Sequence, residues 1–167
     1  MCAKQLNDKD VMNILIDTAL SNGATAADCV LSRSRGLSLT RRLGKDETLE
    51  RYEDFDTGLR VFVGNQIASV STNDSSEIAI RDVAKRAVDM AKIAPQDDFS
   101  LIASQETLND FPIQNSISVD SYDEVEPNID IIRDRAKEVE DSALSVKGIT
   151  NSDGADASWG EGETLLM

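Results

Sequence analysis

The chain has 167 residues, 40% hydrophobic and 29% charged, a balance that supports a folded core and differs from the low-hydrophobicity signature of disorder. Its 31 acidic residues against 17 basic ones give a net charge of −14, which argues against a nucleic-acid surface, since phosphate binding relies on clustered Lys and Arg that release counterions. It has 0 histidines, which removes Ser-His-Asp and Cys-His dyads, His-based zinc sites and imidazole acid–base catalysis together.

The amino terminus lacks the apolar segment of a targeting peptide, and no stretch approaches the ~18 apolar residues of a membrane span. The expected location is the cytoplasm, with no membrane partner. Asn7 and Asp8 are placed to cap a helix whose apolar positions Val11, Ile14, Leu15, Thr18 and Ala19 recur at three- and four-residue spacing, with Gly23 as its left-handed stop. The period then switches to two. Ala27, Cys29 and Leu31 predict a strand, Arg35-Gly36 a turn, and Leu37, Leu39 and Leu43 a second strand. Gly44-Lys45-Asp46 reads as a further turn into a polar strand from Thr48 to Phe55, expected at an edge or with a solvated face.

Gly58 to Val63 is the strongest strand signal, and Gly64-Asn65 supplies the positive φ angles of a tight hairpin, so Gln66 to Ser71 should return antiparallel. Asp74 with Glu77 resembles a capping box, ahead of a helical face of Ile78, Val83, Ala84, Ala87, Val88 and Ala91. Pro95 ends that helix, because it disfavours α geometry in the preceding residue.

A boundary is expected there, dividing the chain into an α+β domain over 1–97 and a linker, helix and first strands of a second region over 98–167. Phe99 to Pro127 is weakly periodic and reads as a wrapped loop with an acidic run, Asp120 to Glu126. Ile129, Ile132, Ala136, Val139, Ala143 and Val146 mark a third helix, followed by an Asp153-Gly154 turn and an outgoing strand containing Trp159. Gly160-Glu161-Gly162 reads as a turn. Leu165, Leu166 and Met167 then form an apolar ending without visible partner strands, which suggests truncation and an edge prone to self-association. The fold class is α+β: an antiparallel meander sheet flanked by amphipathic helices, followed by the start of a truncated second α+β region.

Residue types that carry chemistry are sparse. Cys2 and Cys29 are too few for a disulfide framework or a zinc site within one chain, and Cys29 reads as a buried, inert thiol. Asp56-Thr57-Gly58 matches the triplet of aspartic proteases, whose two carboxylates share a proton. Charged residues precede it and Leu59 follows, so a turn stabilised by Asp56 is the expected structure. Neither Asp54-Asp56-Gly58 nor Asn151-Asp153-Asp156 completes a calcium loop. The basic patch of Arg33, Arg35, Arg41 and Arg42 reads as a solvated hairpin face, and Asp130, Asp134, Glu138 and Asp141 as a solvated helix face.

The ordered segments Gly23 to Val30, Gly36 to Arg41, Asp56 to Gly64, Ala68 to Asp74, Ala84 to Ile93 and Ile149 to Ala155 resemble the amino-terminal region of the PmbA/TldD family, also called modulators of DNA gyrase and grouped with metalloproteases. The Thr150-Asn151-Ser152-Asp153-Gly154 ending leans toward the PmbA, or TldE, branch. The resemblance runs from about Val11 to Leu166, and its motif positions are Gly36, Gly58, Gly64, Ser69, Thr72, Asn151 and Gly154.

The resemblance implies a two-protein protease in which a TldD-like subunit carries zinc on an H-E-x-x-x-H motif absent from this chain. No catalytic or metal-binding residue is carried over. The implied role is that of a noncatalytic part contributing to subunit pairing and to a chamber for peptide or small unfolded protein substrates. The family is associated with maturation of peptide antibiotics and turnover of antitoxin-like proteins. Two rival readings are a stand-alone acidic interaction module, suggested by the charge and the 120–126 run, and an aspartic peptidase dimer using Asp56.

Overall fold

The Asn7 side chain accepts the backbone N–H of Asp10 at 2.8 Å and starts the first helix, α1 (Asp8–Ser21), with Asp8 and Asp10 in its first turn favourably placed at the positive end of the helix dipole. Gly23 follows it at φ 104°. The computed structural model describes residues 6–100, 102–103 and 119–167. Its remaining elements are β1 (Ala26–Arg42), β2 (Lys45–Val63), β3 (Gln66–Thr72), α2 (Glu77–Ile93), α3 (Ile129–Leu144) and β4 (Ala155–Leu166). The strands form one four-stranded antiparallel sheet in the order β3-β2-β1-β4, so the α+β class holds. No helix among the described residues is long and apolar enough to cross a membrane.

Two compact units share these elements, one made of Met1–Ser32, Phe55–Ser118 and Thr164–Met167, the other of Arg33–Asp54 and Val119–Glu163. In the first unit, β2 and β3 pair antiparallel from Thr57↔Thr72 to Val63↔Gln66 around Gly64, which sits at φ 60° as a tight hairpin demands. Helices α1 and α2 pack together, and α2 lies against β3. Their core joins Val11, Met12 and Leu15 of α1 to Leu31, Leu59 and Val61 of the strands and Ile80 and Val88 of α2. Ala19, Ala84, Ala87 and Ala91, all fully buried, are small enough to let the helices approach closely.

In the second unit, α3 sets Ile132 and Ala136 on Leu37 and Leu39 of β1, with Ile129, Ala157 and Trp159 at the margin. The Asn128 side chain caps this helix, accepting the N–H of Ile131 at 3.0 Å. Arg133–Asp130 and Lys137–Asp141 pairs, at 2.6 and 2.7 Å, occupy its charged face. The β2 segment 45–54 lies beyond the register with β3 and is exposed, in keeping with the expected edge.

Several local expectations are corrected. Arg35-Gly36 makes no turn: Gly36 lies within the unbroken β1, buried beneath the ring of Tyr52, so its missing β-carbon serves close approach. Leu43 leaves the strand and forms the β1–β2 turn with Gly44, at φ 46° and 79°. Asp56-Thr57-Gly58 lies inside β2 and is no turn. Ser76, not Asp74, caps α2, and Asp74 instead accepts the N–H of Ser76 at 2.8 Å. Ile78 points outward at 85% exposure and Val139 is exposed as well, because the buried face of each helix is narrower than its apolar run, while Val146 is exposed beyond the end of α3 at Leu144.

Gly160-Glu161-Gly162 continues β4 rather than turning. The apolar ending does have a partner: Met167 and Cys29 exchange backbone hydrogen bonds of 2.8 and 3.0 Å, and Leu165 packs on the first unit's core while Leu166 stays exposed. The segment 119–128 holds no helix or strand, as expected of a loop. Cys2 and the stretch 104–118 lie outside the described residues.

Candidate functional site

Strand alternation decides which side chains remain available in the first unit. Cys29, Leu31, Leu59 and Val61 face the helices, which sends Asp28, Val30, Gly58, Arg60 and Ser69 to the opposite side of the sheet. There they line a shallow concavity of about 650 Å³ together with Leu166 and Met167. Gly58 leaves its floor level: a β-carbon at this position would lie 3.1 Å from Cγ1 of Val30. Register places Ser69 directly opposite Arg60.

One strong polar contact marks the wall. Arg60 Nε donates to both carboxylate oxygens of Asp28, at 3.0 and 3.1 Å, and Nη2 adds a further bond to Oδ2. The hydrogen bonds that Arg60 donates to Asp28 raise the Arg60 pKa, and the guanidinium lies 5.4 Å from the Phe62 ring. The Asp28 carboxylate is thus engaged by Arg60 along the groove wall. Cys29 contributes backbone only. Its buried Sγ lies 3.9 Å from the Met12 carbonyl oxygen, and burial, then the charge of Asp28, pushes the thiol up to about 11.

The second unit carries a polar concavity of about 320 Å³ among Arg33, Arg35, Glu53, Asp54, Glu161 and Glu163. Arg35 organises it, bonding Glu161 at 3.0 Å and Glu126 at 3.1 Å while its guanidinium lies 5.5 Å from the Trp159 ring. That hydrogen bond holds Glu161 below the usual carboxylate range. Glu126 also bonds Arg51 at 3.1 Å, so the 120–126 run is tied to the sheet at this residue. Among the described residues no group of three or more His, Cys, Asp or Glu side chains is placed to hold a metal. The described residues therefore offer no ligand set that fits zinc.

The motif positions disperse. Gly58 and Ser69 meet in the groove. Gly36 is under Tyr52, and Gly64 in the hairpin donates its N–H to Thr25 Oγ1 at 3.1 Å. Thr72 ends β3 and accepts the N–H of Asp74 at 3.1 Å. Asn151 is exposed ahead of β4, and Gly154, at φ 122°, donates to Ser152 Oγ at 3.0 Å. Asp56 is exposed, while neighbouring Thr57 is buried with an unpartnered hydroxyl. Sequence reasoning missed Glu140, whose side chain is fully buried. The spacing Ile132, Ala136, Glu140 is the signal that could have found it, since it continues the core stripe by one helical step.

Residues 27–91 match PmbA/TldA metallopeptidase domain 1. Over 154 residues the chain is 28% identical to a metalloprotease PmbA homolog of Haemophilus influenzae, covering 92% of this chain and 33% of that protein. The chain is thus similar to PmbA/TldD proteins. The metalloprotease PmbA of Escherichia coli O157:H7 is likewise 28% identical over 151 residues, covering 87% of this chain and 32% of the other. TldE from Thermococcus kodakarensis shares the fold, with a TM-score of 0.71 at 16% identity over 93% of this chain and 34% of that one. The chain thus spans about a third of the length of the curated PmbA relatives it matches. The curated relatives it matches are PmbA proteins, the branch that the 150–154 segment resembles.

Proposed function

We propose that this chain is a noncatalytic amino-terminal part of a PmbA/TldE-type subunit. In this reading it pairs with a TldD-like subunit and helps enclose the space in which peptides or small unfolded proteins are cleaved. The match of residues 27–91 to the first metallopeptidase domain carries the reading. The absence of histidine from the sequence agrees with it, because a catalytic zinc site of the His-rich kind cannot be assembled from these side chains. Zinc would then reside on the partner, and the compartment would be the cytoplasm.

Pull-down of the tagged chain from its own cell extract, followed by a peptidase assay with and without chelator, tests the proposal. Recovery of a histidine-containing TldD-like protein with chelator-sensitive activity is expected. Zinc-dependent cleavage by the purified chain alone would overturn the noncatalytic assignment, and failure to retain any TldD-like protein would overturn the pairing.

A further inference from the structure

The β1–β2 turn uses a conformation its sequence does not favour. Two-residue hairpins of this hand prefer Asn or Asp followed by Gly, yet Leu43 occupies the first left-handed position with its side chain mostly in solvent. Consecutive N–H groups in such turns converge into an anion-binding concavity. Here Leu43 N–H donates to Oε1 of Glu140 at 2.5 Å, and Gly44 N–H to Oε2 at 2.9 Å.

We propose that this turn is a carboxylate-binding site whose resident ligand is Glu140, and that its occupation fixes α3 within the second unit. The Arg41 guanidinium supplies the charge from β1, with Nε 3.7 Å from Oε2. That Nε is buried and makes no hydrogen bond of its own. Ser152 hydrogen-bonds the same carboxylate. Arg41 is held in place by Asp46 of β2 at 2.9 Å and by the Gly44 carbonyl oxygen at 2.7 Å, and Arg133 of α3 bonds Asp46 at 2.7 Å. On the same helix Lys137 and Asp141 are paired with each other. The apolar cluster beneath the helix is small, with Leu37, Leu39, Ile132 and Ala136 as its buried members, so the carboxylate contact is a large part of what positions the helix.

The test is chemical rescue in the full chain. Glu140→Ala should melt at a lower temperature than the parent, and sodium formate or acetate should restore the loss saturably where sodium chloride of equal ionic strength does not. Formate and chloride acting alike, or a variant as stable as the parent, would overturn the site. A second measurement needs no variant: amide NMR shifts of Leu43 and Gly44 should move together through one titration below the ordinary glutamate range, since those backbone donors favour the ionised form. Amides that stay put while Glu140 takes its proton would equally reject the proposal.

Discussion

The ring of Tyr52 on β2 lies across Gly36 on β1, so close that a β-carbon added to the glycine would meet ring carbons Cε1 and Cζ at 2.5 Å. The same ring carries its hydroxyl 3.4 Å from where a β-carbon on Gly160 of β4 would lie. One aromatic side chain therefore covers glycines on two neighbouring strands. Gly36→Ala should force the ring outward and cost about 1 kcal/mol, the lower end for overpacking because the displaced atoms end a side chain that can rotate. Urea denaturation checks this, and in a Tyr52→Ala background most of the cost should vanish.

Two apolar residues in the first unit should respond oppositely to truncation. Leu15 is fully buried beneath α2 and the strands, so Leu15→Ala should cost about 2–5 kcal/mol through lost burial and the cavity left behind. Ile78 sits on α2 in water, and Ile78→Ala should change stability by less than about 0.5 kcal/mol. Equal losses in thermal melts of the two variants would contradict the assigned helix face.

Cys29 should be inert in the folded chain. With its thiol pushed up to about 11, the reactive thiolate is scarce at neutral pH, and labelling by a disulfide reagent should be slow until denaturant exposes it. The folded state favours the protonated thiol, so its contribution to stability is complete below the ordinary thiol pKa of 9.0 and is lost as pH rises to about 11. Cys29→Ala should flatten that alkaline limb in urea titrations at successive pH values.

Local chemistry made much of this fold legible in advance. The Asn7 cap, the Gly64-Asn65 hairpin and the stop at Pro95 each depend on neighbours in sequence and are legible there, although of the hairpin pair Gly64 takes a positive φ and Asn65 does not. Gly36 misled because a glycine that admits an aromatic ring and one that turns the chain look alike until the ring is located on another strand. Glu140 stayed hidden for a related reason: its ligands are main-chain amides, which every residue but proline possesses. The groove around Gly58 and Ser69 was not legible in the sequence, where the two stand apart as motif positions of the resemblance, since register rather than composition brings them together.

Acid should weaken the second unit through named carboxylates. Hydrogen bonds from Arg133 hold Asp46 low, and those from Arg35 hold Glu161 low. Each stabilises the fold above its unfolded pKa, about 3.9 for Asp and 4.3 for Glu, and that contribution disappears as pH falls through the lowered folded value. Glu161→Gln should reduce the pH dependence of the urea midpoint below about pH 4.5 while leaving it nearly unchanged between pH 6 and 8. Because these pairs are partly exposed, 1 M salt should shrink the effect.

Among the described residues β2 from Lys45 to Asp54 lies beyond the register with β3, which has a consequence for behaviour at high concentration. A strand with one unpaired side is a template onto which another polypeptide can add. Seven of these ten residues carry charge, so an incoming copy would bring like charges into register and lose water from them. Resistance to fibril growth in this protein is thus written along a rim that contributes almost nothing to its core.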